Sequence, residues 1–165
     1  MNDTLAVKLI EVINAEIRVF NHLLEVLQQE QRALLDDDLA GIGASIAAKQ
    51  EAAEEARQLE AERALVVRKL SGQLDLDPGN STLARLIGAV EGWQGEELAR
   101  MRQTLLELNQ KIRAANESNA FLIRQSMRYT ERCLDILAGQ PGKVYGQFGK
   151  ARRGAGLRPL VNRTA

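Results

Sequence analysis

One histidine, one cysteine, three consecutive aspartates and a surplus of scattered glutamates are the residues here that could do chemistry. His22 sits between Asn21 and Leu23 with no second histidine and no neighbouring nucleophile to act on, so it reads as an ordinary surface or half-buried side chain. A lone Cys133 excludes an intramolecular disulfide and any cysteine-built zinc site. Its place in a heptad pattern makes it read as a small buried hydrophobe. A di-metal helical bundle needs Glu-x-x-His on facing helices, and the sequence has none. There is no P-loop, and no strand precedes a G-x-G-x-x-G. Asp36, Asp37 and Asp38 could hold a cation only with ligands from elsewhere. They read instead as a tight turn and the N-cap of a following helix. The expectation is no enzyme, no cofactor and no metal site.

Charge is distributed more tellingly than it is totalled. Lys plus Arg and Asp plus Glu each number 22 over 165 residues. Residues 1–138 carry 16 basic and 22 acidic side chains, whereas residues 139–165 carry six basic side chains and no acid. The latter segment includes GKVYGQFGKARRG, residues 142–154, and is rich in glycine. It cannot bury enough apolar surface to offset its ordering entropy, which predicts a flexible tail over 139–165. Its basic and aromatic residues have the composition of a weak single-strand nucleic-acid binder, but the acidic body would repel that ligand. Nucleic acid is therefore not expected. No apolar run reaches the length of a membrane span. Asp3 and Glu11 stand where a secretory signal would be basic and then continuously apolar, so a cytoplasmic protein is expected, without stable membrane insertion.

The residues that remain must be positioned by helices. High Ala, Leu, Glu, Arg and Gln content with three prolines favours helix over sheet. Leu5, Leu9, Ile13, Ile17, Phe20, Leu24, Leu27 and Leu34 predict a helix over about 3–35. Ile42, Ile46, Ala53, Ala56, Leu59, Val66 and Leu70 predict a second over 38–71, weakened at its start by Gly41 and Gly43. Lys49, Arg57 and Arg63 among Glu51, Glu54, Glu55, Glu60 and Glu62 read as its solvated face. GQLDLDPGNS, residues 72–81, reads as a loop, and Asn80 or Ser81 as the cap of a short helix over 82–92.

The strongest signal is a heptad seam over 94–138. Leu98, Met101, Leu105, Leu108, Ile112, Ala115, Asn119, Leu122, Ser126, Tyr129, Cys133 and Ile136 alternate by three and four. Such a helix is about 60 Å long, too long for a compact globule to wrap. The expected fold is all-α: an elongated antiparallel three-helix bundle or coiled coil with a short accessory helix and a flexible tail. The seam turns polar in its second half. Buried asparagine can fix register at some cost in stability. Alternatively, that half is left uncovered, and Phe121, Leu122, Ile123, Met127, Leu134, Ile136 and Leu137, which surround the helix on several sides, await a partner helix.

The run LLELNQKIRAANESNAFLIRQSMRYTERCLDIL followed by VYGQFG resembles the C-terminal half of the FlgN-type flagellar export chaperones. The shared features are an N-x-x-N element at Asn116 and Asn119, a helix end rich in Leu and Ile, and a Tyr-Gly-x-x-Gly tail at Tyr145, Gly146 and Gly149. A leucine-rich first helix, an acidic turn and a second helix carrying Lys49 fit as well. The resemblance implies a cytoplasmic chaperone of type III protein export in bacterial flagellum biogenesis. Its implied partners are the hook-associated proteins of the hook–filament junction and the cytoplasmic domain of the flagellar export gate. The implied cargo-binding residues are Asn116, Asn119, Leu122, Ile123, Ser126, Met127, Leu134 and Leu137. Tyr145, Gly146 and Gly149 would dock on the gate, with Phe148 standing where other members carry a small or polar residue. Weak self-association accompanies this reading. The rival from another class is a structural coiled-coil protein that dimerises through its last helix along the Leu98–Ile136 seam.

Overall fold

The computed structural model describes residues 2–76 and 82–139. Among these, four helices and no strand occur: α1 (Asn2–Leu35), α2 (Leu39–Gln73), α3 (Leu83–Ala89) and α4 (Trp93–Leu137). The long helices pack on one another as an all-α bundle. Compactness divides the chain into two units, Met1–Leu122 and Ile123–Ala165. That boundary falls inside α4, whereas the change in composition falls near Gly139.

The acidic triplet is the turn between α1 and α2. The Asp36 amide still donates to the Arg32 carbonyl at 2.9 Å, closing α1. Asp37 takes a left-handed φ of 52°, a conformation aspartate tolerates better than most residues. Asp38 caps α2, its Oδ1 accepting from the Gly41 amide at 3.0 Å. Gly41 is more than a weak helix residue, because a Cβ there would collide with the Asp38 carboxylate and crowd Ala33 of α1.

At its other end α2 runs through Gly72 to Gln73 and closes at Asp75, also left-handed, with the Leu76 amide donating to the Ser71 carbonyl at 3.0 Å. The loop therefore starts later than the glycine suggested. Thr82 caps α3, its Oγ1 accepting from the Arg85 amide at 3.4 Å. Asn80 and Ser81, the caps expected from sequence, lie outside the described residues. α3 ends at Ala89 rather than near 92, because Val90 turns extended. Gly95, in the first turn of α4, lies so close to the Val90 carbonyl that any side chain would displace one or the other.

In the first unit, α1 and α2 are antiparallel: Lys8 pairs with Glu62, Glu16 with Arg63 and Glu30 with Lys49. α4 runs parallel to α1. Leu98 and Met101 share a cluster with Leu9 and Ile13, and Asn119 meets Leu27 and Glu30. That cluster is the main core. It joins Ala6, Leu9, Ile10 and Ile13 of α1, Val66, Val67 and Leu70 of α2, Leu86 of α3, and Leu98 and Met101 of α4. Burying one such Leu or Val side chain contributes about 1.5–3 kcal/mol. The apolar stripe of α2 is dense only here. Toward the α1–α2 turn its buried residues are Ser45 and Ala52, so packing there falls to small side chains.

Candidate functional site

Among the described residues no catalytic constellation is assembled. His22 is exposed on α1. Cys133 is half-buried rather than sealed in a core. Among the described residues no three His, Cys, Asp or Glu side chains converge as a metal site would require, and no helix is long and apolar enough to cross a membrane.

The polar groups the bundle does bury are structural, and sequence reasoning missed two of them. Glu16 and Glu30 fall in the three-four spacing of the α1 stripe, in phase with Leu9, Ile13 and Leu27, where an apolar residue is the norm. Both are buried. The Arg63 guanidinium donates to Glu16 Oε1 at 2.9 Å, and Lys49 Nζ donates to Glu30 Oε1 at 2.7 Å. Lys49 and Arg63 are therefore not part of a solvated face, as their glutamate-rich surroundings suggested. Their spacing of 14 residues on α2 mirrors that of Glu16 and Glu30 on α1, the detectable sign of two ionic rungs in one antiparallel register. Burial pushes the Glu16 carboxyl above its ordinary value of 4.5. The hydrogen bond and charge of Arg63 oppose that shift, and Glu60 adds to it.

The eight residues expected to bind cargo are all on α4 but in different surroundings. Asn119 is only 2% exposed. Its amide donates to the Leu27 carbonyl and to Glu30 Oε2, both at 2.9 Å, while its Oδ1 is left without a partner. One turn earlier Asn116 is exposed, and the adjacent Ser118 hydroxyl accepts from Gln31 Nε2 at 2.8 Å. This places Asn119 in the interior of the first unit, as the register-fixing reading of a buried asparagine requires, and not on an open surface. Leu122 is half-buried.

In the second unit the picture changes. Ile123, Ser126, Met127, Leu134 and Leu137 are all exposed. So are Tyr129 at 72% and Ile136 at 75%, which share the seam but were not in the expected cargo set. At 3.6 residues per turn, Ile123, Met127, Thr130, Leu134 and Leu137 form one row and Ser126, Tyr129, Cys133 and Ile136 the row beside it. Arg124, Arg128, Glu131, Arg132 and Asp135 occupy the opposite side. Apart from Phe121, the apolar residues thus keep to one side of the helix rather than ringing it. From Ile123 onward α4 is amphipathic, with a broad apolar face that is open where the matching face of the proximal seam, at Leu98, Met101 and Leu108, is buried. Phe121, also exposed, lies on the polar side of the helix, between Arg128 and Arg132 in projection, and stands outside this face. Leu98, Met101 and Leu108 are buried inside one chain, so these residues of the Leu98–Ile136 seam are not on offer to the rival dimer. Tyr145, Gly146, Phe148 and Gly149 lie outside the described residues.

Two comparisons with known proteins find nothing: no curated protein and no solved structure matches the chain. The model of the family described as FlgN protein matches residues 1–153, which is most of the chain: all of its first compact unit and the greater part of the second.

Proposed function

This chain belongs to the FlgN family, and on that premise we propose that it is a flagellar export chaperone whose cargo helix lies on the distal face of α4. The observation that carries this reading is the exposure of Ile123, Met127, Leu134 and Leu137 along one row of a helix that the bundle buries elsewhere. A helical segment with an apolar stripe self-associates when free. Laying it on this row removes apolar area from water, at roughly 25 cal/mol per Å² before ordering costs. The backbone of α4 is internally hydrogen-bonded, so the guest must dock by side chains as a helix in a groove rather than as an added strand. The cargo class is the terminal segments of hook-associated proteins. Tyr145, with Gly146 and Gly149, docks on the cytoplasmic domain of the export gate, and delivery takes place in the cytoplasm without catalysis by the chaperone.

Titration calorimetry with the terminal segment of a hook-junction protein tests the reading. Leu134→Asp lowers affinity at least about tenfold, or 1.4 kcal/mol, with an unchanged helical spectrum. Unaltered affinity in that variant rejects the distal face as the cargo site. Tyr145→Ala leaves the same affinity intact but removes retention of the chain by the immobilised gate domain. Retention equal to wild type rejects the docking role.

A further inference from the structure

The α1–α2 hairpin has a second side. On α1, Gln31 meets Ser118 of α4, and Gln29 and Ala33 each lie about 160° round the helix from it. On that side, near the turn, a hollow of about 450 Å³ opens between α1 and α2. Ala33 of α1 and Gly41, Ala44, Ser45 and Ala48 of α2 form its wall, so the space is bounded by small side chains. Ser45 is only 5% exposed, yet its hydroxyl has no hydrogen-bond partner among the described residues. It does not turn back onto a carbonyl of its own helix, as the Thr104 and Thr130 hydroxyls do. A buried hydroxyl is normally bonded, so this one offers an unused acceptor inside the hollow.

Charge lines the same side. Glu25, Gln29, Arg32 and Asp36 form one row on α1, and Ala44, Ala48, Glu51 and Glu55 form one row on α2. Arg32, Asp36 and Asp38 border the hollow itself. One Asp38 carboxylate oxygen accepts from the Gly41 amide. Among the described residues none of Glu25, Asp36, Asp38, Glu51 and Glu55 is in an ion pair, nor is Arg32. Carboxylates therefore outnumber cations along both rims, and among the described residues Arg32 is the one cation that borders the hollow.

Small methyl groups, one unsatisfied hydroxyl and two carboxylates match a long aliphatic stem with a cationic head. The stem covers Ala33, Ala44 and Ala48, and the head donates to Ser45 Oγ and to the Asp36 or Asp38 carboxylate. We propose that this hollow receives a lysine or arginine from a basic helix of a partner protein, laid along the groove between α1 and α2. The small side chains let a third helix approach closely, and docking is by side chains. Glu25 and Asp36, three turns and about 16 Å apart, set the spacing of the cations that such a helix carries. The site stands on α1 and α2 alone and does not depend on the cargo face of α4.

The probe is a labelled alanine-rich helix of about 18 residues with lysines four and seven residues apart, beside the same helix with glutamines in their place. Fluorescence anisotropy with the full chain at low salt reads binding. The lysine helix binds with a dissociation constant on the order of 100 μM, and the glutamine helix binds at least about tenfold more weakly. Ala44→Trp fills the hollow without changing charge and weakens the lysine helix at least about fivefold; Asp36→Asn weakens it about threefold. Arg32→Gln removes the competing cation and tightens binding by about threefold. All three positions are exposed, so the helical circular-dichroism spectrum is unchanged in each. Equal binding of the two helices, or no binding of either, overturns the proposal. So does binding indifferent to Ala44→Trp, which would be attraction to the acidic body at large. Loss of the lysine helix in Leu134→Asp would place it on the distal face of α4 and overturn the proposal as well. Failure of cargo to bind in calorimetry leaves this result untouched.

Discussion

Asn119 of α4 donates its side-chain amide to the buried carboxylate of Glu30 on α1, at 2.9 Å, while Lys49 of α2 holds the other carboxylate oxygen at 2.7 Å. One acidic side chain thus fastens all three long helices at a level where apolar packing is thin. Asn119→Ala leaves part of that carboxylate unsatisfied and lowers stability by about 1–3 kcal/mol. Replacing the set together, with Glu30→Leu, Lys49→Met and Asn119→Leu, is near neutral or stabilising, because desolvation of the charges disappears with them. Urea midpoints of the two variants check the contrast. A triple variant less stable than Asn119→Ala contradicts it.

Glu16 predicts a pH dependence opposite to that of an ordinary paired carboxylate. Its folded-state pKa lies above the ordinary 4.5, chiefly through burial, so the folded chain binds this proton more tightly than the unfolded chain. The stability it contributes is fully present below about 4.5 and is lost as pH rises through the raised value. Relative to Glu16→Gln, which does not titrate, wild type therefore gains stability as pH is lowered from neutrality. Thermal unfolding of the pair across that range measures the difference. A gap that is flat or widens the other way refutes the assignment.

Asp38 is expected to be the dominant local determinant of where α2 begins. Asp38→Ala removes the acceptor for the Gly41 amide and costs about 0.5–2 kcal/mol, whereas Asp38→Ser retains a cap and costs less. Chemical denaturation of the two variants ranks them. Equal losses would mean the turn rests on its backbone alone.

The two ends of α4 respond differently to the same kind of truncation. Leu98→Ala opens a cavity in the main core and destabilises by about 2–5 kcal/mol. Leu134→Ala, at an exposed position, stays within about 0.5 kcal/mol. A large loss at Leu134 in the isolated monomer would show that the distal face is already covered.

Much of this was legible in the residues. The three-four spacing along α4 spans more than five heptads, and no strand pattern competes with it, so helix type and length followed directly. The aspartate triplet between two apolar stripes announced a turn and a cap, and the turn is there. Boundaries set by single glycines were less secure: α2 passes through Gly72 because its last turn is held by Val67, Leu70 and Ser71 in the core. The buried ionic rungs went unread because Lys49 and Arg63 stand among glutamates of their own helix. Which glutamate each one binds depends on a facing helix that local sequence does not describe. The role of Asn119 was open for the same reason, since an asparagine in a seam can as well line a docking face as close one.

Periodicity and charge, being properties of neighbours along the chain, were settled by the amino-acid order alone: long helices, an acidic turn, an acidic body and a basic end. The antiparallel register of α1 and α2, the pairing of Glu16 and Glu30 with cations 47 and 19 residues away, and the point on α4 where burial gives way to exposure were decided by tertiary packing. A heptad seam has the same phase whether a helix of its own chain covers it or not. Only the arrangement of the other helices determines which stretch is buried within the chain and which is left open to a partner.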